Sequence, residues 1–134
     1  MPTGSSIAYL DSSALFKLVV EEPESRALRD ALLQWPRRAS SRIAVVEVLR
    51  GVRRRDAGAE LLARRVLSNV ALIAVGNRVL VVASTLGPPA LRSLDAIHLA
   101  SALRLGADLT AFVSYDARQL EAAAALRLPV SAPG

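Results

Sequence analysis

Four acidic residues stand where an acid is either costly or conspicuous: Asp11, Glu47, Asp95 and Asp116. Asp95 is the hardest to place. It lies in Leu91-Arg-Ser-Leu-Asp-Ala-Ile-His-Leu-Ala-Ser-Ala-Leu-Arg104, whose apolar residues recur at helical spacing. At about 100° per residue, Leu91, His98, Leu99 and Ala102 share Asp95's side of such a helix. A carboxylate on the inward side is expensive unless it is paired, hydrogen-bonded or bound to a cation. Asp11 closes the apolar run Ile7-Ala-Tyr-Leu-Asp, and Asp116 closes Leu109-Thr-Ala-Phe-Val-Ser-Tyr-Asp. Glu47 sits in Ile43-Ala-Val-Val-Glu-Val-Leu-Arg-Gly-Val, with Arg50, Gly51 and Arg54 on its helical face.

Each acid also has an ordinary explanation. Asp11 is well placed to cap a helix beginning at Ser12. Asp116 with Gln119 three residues on is close to a capping box. A Glu47–Arg50 surface pair contributes a few tenths of a kcal/mol at most. Asp95 could be protonated, pair with Arg92 or turn to the edge of its helix. As a set the four are more specific. Like charges at about 4 Å repel by about 4 kcal/mol even at an effective dielectric of ~20, so converging acids call for a divalent cation. All-oxygen ligation in a chain with no cysteine and one histidine favours Mg²⁺ or Mn²⁺ over zinc. His98, one turn from Asp95, reads as a packing or hydrogen-bonding residue and stays outside the metal set.

The elements that must position these residues follow from periodicity. Ile7–Asp11, Ala71–Val75 and Leu109–Asp116 are apolar runs of strand length. Arg37–Ser41 is a weaker strand candidate, and Leu128–Ala132 a last short one. Between them lie segments with helical spacing: 12–20, 21–35, 42–55, 57–70, 77–87, the Leu91–Arg104 stretch and 117–127. Pro36 and Gly87-Pro88-Pro89 punctuate the pattern. Strands apolar on both faces, alternating with helices, imply an α/β fold: a three-layer α/β/α sandwich around a central parallel sheet of four to five strands. Ligands in such sheets sit beyond the carboxyl ends of the strands, where Asp11 and Asp116 fall. No repeat, linker or low-complexity segment divides the chain, so residues 1–134 are read as one domain.

Composition narrows the function classes. The chain has 134 residues, 52% hydrophobic, and carries a net charge of +5. That excludes a disordered chain. No apolar run approaches the roughly 18 residues of a membrane span. The N-terminus shows no secretory signal, and a cytoplasmic location is expected. Nine arginines lie between Arg37 and Arg65 against Glu47, Asp56 and Glu60. Such a basic segment suits a polyanion or an acidic partner. The aromatics Tyr9, Phe16, Trp35, Phe112 and Tyr115 read as core, not as a base-stacking platform.

These pieces together resemble the PIN-domain ribonucleases, and among them the VapC toxins of bacterial VapBC toxin–antitoxin modules. The matching stretches run from Tyr9 to Ser25, Ala39 to Arg54, Leu91 to Gly106 and Leu109 to Val130. The resemblance implies a PIN-like fold, a Mg²⁺-dependent (or Mn²⁺-dependent) endoribonuclease acting on an RNA substrate, a homodimer and inhibition by a VapB-type antitoxin. It places the family's acidic positions on Asp11, Glu47, Asp95 and Asp116 as catalytic residues. Its hydroxyl position two before the last acid falls on Ser114, where the family often has Thr, and Ser12 and Ser13 match a hydroxyl-rich position after the first acid. Asp11, Asp95 and Asp116 are then the expected metal ligands, with Ser114 and Ser12 supporting. Glu47 completes the pocket and, unliganded, could accept a proton from the attacking water. Arg50 and Arg54 are the first candidates for RNA phosphates, and Arg92 the weaker one. The rival from another class is a non-catalytic PIN-like protein- or RNA-binding module, with the acids as caps and surface pairs. A receiver domain would need a late lysine, and Lys17 is the only lysine. The chain also lacks room for the added helical elements of a 5′-nuclease.

Overall fold

The computed structural model describes residues 6–134, and within them the alternation of segments becomes five strands and seven α-helices. The order is β1 (Ile7–Leu10), α1 (Ser12–Lys17), α2 (Ser25–Leu32), β2 (Arg38–Ser41), α3 (Ile43–Arg55), α4 (Glu60–Ser68), β3 (Ala71–Ile73), α5 (Asn77–Thr85), α6 (Ser93–Leu103), β4 (Leu109–Val113), α7 (Ala117–Ala125) and β5 (Val130–Ser131). The expectation of no secretory signal rests partly on residues 1–5, which lie outside the described residues.

The strands form one parallel sheet in the order β3-β2-β1-β4-β5. The chain moves outward from β1 through β2 to β3, then returns to the far side of β1 for β4 and β5. Parallel crossovers are right-handed, so reversing direction moves the later helices to the opposite face. Alternation along β1 serves both cores. Ala8 and Leu10 join Leu15, Leu28, Val48, Val52 and Val113 under α1–α4. Tyr9 joins Leu99, Ala102, Phe112, Ala122 and Ala123 under α6 and α7. Leu15, Leu28 and Leu99 are fully buried, each contributing about 1.5–3 kcal/mol by leaving water. The order reverses between β1 and β4, so their carboxyl ends open a crevice there. The register sets Tyr9 beside Phe112 and Leu10 beside Val113, and the Tyr9 and Phe112 rings stack with centroids 5.4 Å apart.

The weak Arg37–Ser41 candidate is a full member of the sheet, paired on both sides. Its signal was faint because Ala39, Ser40 and Ser41 are small, yet all three are buried. Arg38 helps to start it, donating to the carbonyls of Trp35 and Leu32 at the end of the preceding helical segment. Ser41 Oγ then accepts from Ile43 N–H at the entry to α3.

The stretch around Asp95 corrects one expectation. Its helix begins at Ser93, two residues after Leu91, with Arg92 at the cap position. Before it, Leu91 N–H closes a turn onto the Pro88 carbonyl at 2.8 Å, and Arg92 is extended. Asp95 therefore lies in the first turn, half-buried, where unpaired N–H groups favour a negative charge. Leu94 is exposed and does not hold the helix against the sheet. Leu99 does that work, with Leu91 packed against the same core from outside the helix.

Candidate active site

Asp11 and Asp116 each follow a strand and cap the next helix. Asp11 Oδ1 accepts from Ala14 N–H at 3.1 Å and from Ser13 Oγ at 2.6 Å. Asp116 Oδ1 accepts from Arg118 and Gln119 N–H. The capping explanation is therefore correct for both, and it uses only one oxygen of each. Asp11 Oδ2 accepts from Ser114 Oγ at 2.6 Å, and Ser114 in turn accepts from Asp116 N–H. Ser13 accepts from Tyr115 N–H. The two serines thus tie the end of β1 to the loop after β4.

Asp11 is almost wholly buried, 4% exposed. Burial raises its carboxyl above the ordinary range, and the field of His98 with bonds from Ser114, Ser13 and Ala14 pulls downward without cancelling it. Asp95 is raised as well, first by burial and then by the charge of Asp116, with Asp11 adding to it. Arg92 and His98 oppose that shift. Arg92 itself is exposed and makes no salt bridge to Asp95 among the described residues. Neither oxygen of Asp95 accepts a hydrogen bond from a described residue. The charges of Asp116 and Asp11, from two other parts of the chain, thus both bear on Asp95.

Glu47 is different. It does not form the Glu47–Arg50 pair that helical spacing allows. Its Oε1 accepts from Ser12 Oγ at 2.5 Å and lies 2.7 Å from His98 Nε2. Burial pushes its carboxyl up, but the bonds from His98 and Ser12, with the field of His98, bring it below the ordinary value. Gly51, one turn later on α3, faces the Phe16 ring of α1, where a Cβ would come to 3.3 Å. That close approach lets α3 and α1 meet and places Glu47 against Ser12.

Glu47 and Ser12 border a cleft of about 800 Å³ that Arg50, Arg54, Lys17 and Leu94 also line; Asp11, Asp95 and Asp116 do not line it, but their chain neighbours Ser12, Leu94 and Tyr115 do. Phe16 and Tyr115, read as core from the sequence, line it too while also packing on the core beneath. Its cations fall into two kinds. Lys17 is bound to Glu22 and Glu24 and lies 4.8 Å from the Tyr115 ring centre. Arg55 pairs with Glu22, as Arg53, outside the cleft, does with Glu60. Arg50 and Arg54 line the cleft with no salt bridge among the described residues. They are free to meet an anion.

Among the described residues no group of three or more acidic, histidine or cysteine side chains forms a ready metal cage. The donor set nonetheless suits a hydrated hard cation. Mg²⁺ keeps several waters and takes only one or two carboxylates directly. Asp11 Oδ2 retains one lone pair, while Asp116 Oδ2 and both oxygens of Asp95 accept nothing from the described residues. The upward shifts at Asp11 and Asp95 mark charge that a cation would relieve.

Sequence reasoning missed one link. His98 is 2% exposed and bridges Tyr9 to Glu47 and Ser12. It lies one turn after Asp95, but 51 residues separate it from Glu47. No periodicity spans that distance.

A model of the PIN domain matches residues 8–125. Ribonuclease VapC46 of Mycobacterium tuberculosis is 48% identical over 125 residues, covering 93% of this chain and 96% of the relative. Ribonuclease VapC47 of the same species is 40% identical over 131 residues, with 94% and 96% covered. Among solved structures, a toxin-antitoxin complex from Klebsiella pneumoniae matches with a TM-score of 0.68 at 25% identity, covering 84% of this chain and 89% of that one.

Proposed function

The chain belongs to the PIN-domain family, among relatives named VapC ribonucleases, and on that premise we propose that it is a divalent-metal-dependent endoribonuclease, the toxin of a toxin–antitoxin pair. One observation carries the reading. Asp11 and Asp95 are both raised by burial, Asp116 adds its charge to Asp95, and their chain neighbours Ser12, Leu94 and Tyr115 line the cleft that holds Arg50 and Arg54.

Asp11, Asp95 and Asp116 would hold Mg²⁺ or Mn²⁺, directly or through water. The cation supplies Lewis acidity, neutralising charge on the phosphate and making the attacking water more acidic. Glu47 stays outside that set. Its Oε1 is occupied by Ser12 and His98, and its Oε2 accepts the proton of the attacking water. The water oxygen bonds to phosphorus, the P–O3′ bond breaks, and O3′ takes a proton from solvent. The products carry a 5′-phosphate and a 3′-hydroxyl. Ser114 fixes Asp11, and Ser12 fixes Glu47. Arg50 and Arg54 contact the flanking phosphates, with Arg92 beside α6 as the second-choice contact.

The partner is an antitoxin, in keeping with the toxin-antitoxin structure this chain resembles. A VapB-type segment laid over the arginine-lined cleft would block RNA. The active form is a homodimer working in the cytoplasm, where the RNA is.

The test is RNA cleavage by the wild type and Asp95→Asn, with and without EDTA. Cleavage by the wild type alone, abolished by EDTA and restored by Mg²⁺, is expected. Undiminished cleavage by Asp95→Asn would leave the acids as caps and surface charges. A 2′,3′-cyclic phosphate product would replace attack by water with attack by the ribose 2′-hydroxyl.

A further inference from the structure

His98 is a buried titratable group near the cleft that takes no direct part in this reaction. It is the chain's single histidine, and it is inaccessible to substrate at 2% exposure. Its two nitrogens face different partners. Nδ1 lies 2.7 Å from Tyr9 Oη. Nε2 lies 2.7 Å from Glu47 Oε1 and 3.1 Å from Ser12 Oγ.

The protons on these atoms can be assigned. An ionised carboxylate only accepts, so Glu47 Oε1 needs donors on both sides. Ser12 donates its hydroxyl hydrogen to Oε1. The other donor is His98, with its proton on Nε2. In the neutral imidazole Nδ1 is then an acceptor, and the Tyr9 hydroxyl donates to it. Tyr9 is held in turn by stacking on Phe112 and by complete burial in β1. The chain of bonds runs from the sheet through the imidazole of α6 to the carboxylate of α3. It joins the two faces of the fold at the carboxyl edge of β1.

We propose that His98, fixed in the Nε2–H form by Tyr9, is a positioning residue for Glu47, saturating Oε1 so that Oε2 is the oxygen presented to the cleft. The catalytic half of this statement rests on the nuclease reading above, whereas the imidazole assignment stands without it. Without His98, Glu47 keeps only the Ser12 bond and can rotate about its side-chain torsions. Orienting partners of this kind in metal sites are worth about 10- to 100-fold in activity.

A long-range ¹H–¹⁵N spectrum of the metal-free protein contains one imidazole, so assignment is immediate. At neutral pH it should show Nε2 protonated and Nδ1 bare, and Tyr9→Phe should shift it toward a mixture. A proton on Nδ1 in the wild type overturns the proposal, whether or not the protein cleaves RNA. On the catalytic side, His98→Gln retains an N–H near the Nε2 position, while His98→Asn and His98→Ala do not. We expect kcat to fall about tenfold or more in Asn and Ala and to recover substantially in Gln. KM for RNA should change little in all three. Wild-type kcat in His98→Ala, or Gln no better than Ala in folded protein, overturns the positioning role. A wild type that shows the expected imidazole yet cleaves no RNA under any divalent cation counts against the nuclease reading alone.

Discussion

Glu47 and Asp95 are both helix-borne acids, one on α3 and one on α6, and the protein treats them in opposite ways. Glu47 is bonded through Oε1 to Ser12 and His98, and its carboxyl is lowered. Asp95 accepts no bond from the described residues, and its carboxyl is raised by burial and by neighbouring acids. The surroundings of Glu47 are complete without a ligand. Those of Asp95 are not, and on the proposed function this difference separates the proton acceptor from a cation ligand. Asp11 stands between them: well bonded, yet still raised.

Activity gives the largest test of that contrast. A Lewis acid contributes several kcal/mol to the transition state, so Asp95→Asn or Asp11→Asn should lower kcat/KM by about a thousandfold. Glu47→Gln removes the proton acceptor and should cost about 10²- to 10⁴-fold. The two classes should separate in metal titrations. Half-saturating Mg²⁺ rises in the Asp variants and is unchanged in Glu47→Gln. If all three shift it equally, Glu47 belongs with the ligands and the contrast collapses.

Thermal stability sharpens the same point with no RNA present. Mg²⁺ at a hundredfold excess over its Kd should stabilise the wild type by about 2.7 kcal/mol, and calorimetry should find this gain missing in Asp95→Asn. Metal-free Asp95→Asn should melt no lower than the wild type, because it removes a repelled charge. Metal-free Asp11→Asn should lose about 1–3 kcal/mol, because its amide meets donors that need an acceptor.

The pH dependence of metal-free stability should divide the acids by sign. Asp11 and Asp95 have folded pKa values above the unfolded value near 3.8. Their favourable contribution is present below that value and is lost as pH rises through the folded values. Glu47 is lowered from 4.5, so its contribution is present above that value and is lost as pH falls through the folded one. Denaturant midpoints measured from pH 3 to 8 should show Asp95→Asn losing less stability on the way up. Glu47→Gln should lose the gain at neutral pH. The same direction of change in both variants would erase the distinction.

The smallest effects belong to the cleft rim. Arg50→Ala and Arg54→Ala should each reduce the salt slope of RNA binding by about 0.7. Arg53→Ala and Arg55→Ala, whose side chains are already paired with acids, should reduce it less. Filter binding across a salt series distinguishes the two pairs.

Much of this site is local in character and therefore legible in the chain. The strands that precede Asp11 and Asp116 announce themselves by apolar runs closed by an acid, and parallel α/β topology places such ends together. Arg50 and Arg54 follow Glu47 at helical spacing, which puts all three on the cleft. The faint β2 and the late start of α6 were harder to read. Small residues carry little hydrophobic signal in the first case. In the second, a cap at Arg92 moved the boundary and turned Leu94 outward.

The sequence by itself determined which elements form and which acids stand at their ends, because periodicity, capping and burial act over a few residues. Only the tertiary structure decided what each acid experiences. Tyr9, Glu47 and His98 come from β1, α3 and α6, and nothing local links them. Their hydrogen bonds exist because the sheet reverses direction at β1 and brings helices from both faces to one edge. Desolvation and like-charge repulsion at Asp95 arise from that same convergence, since both depend on distance through space and not on distance along the chain.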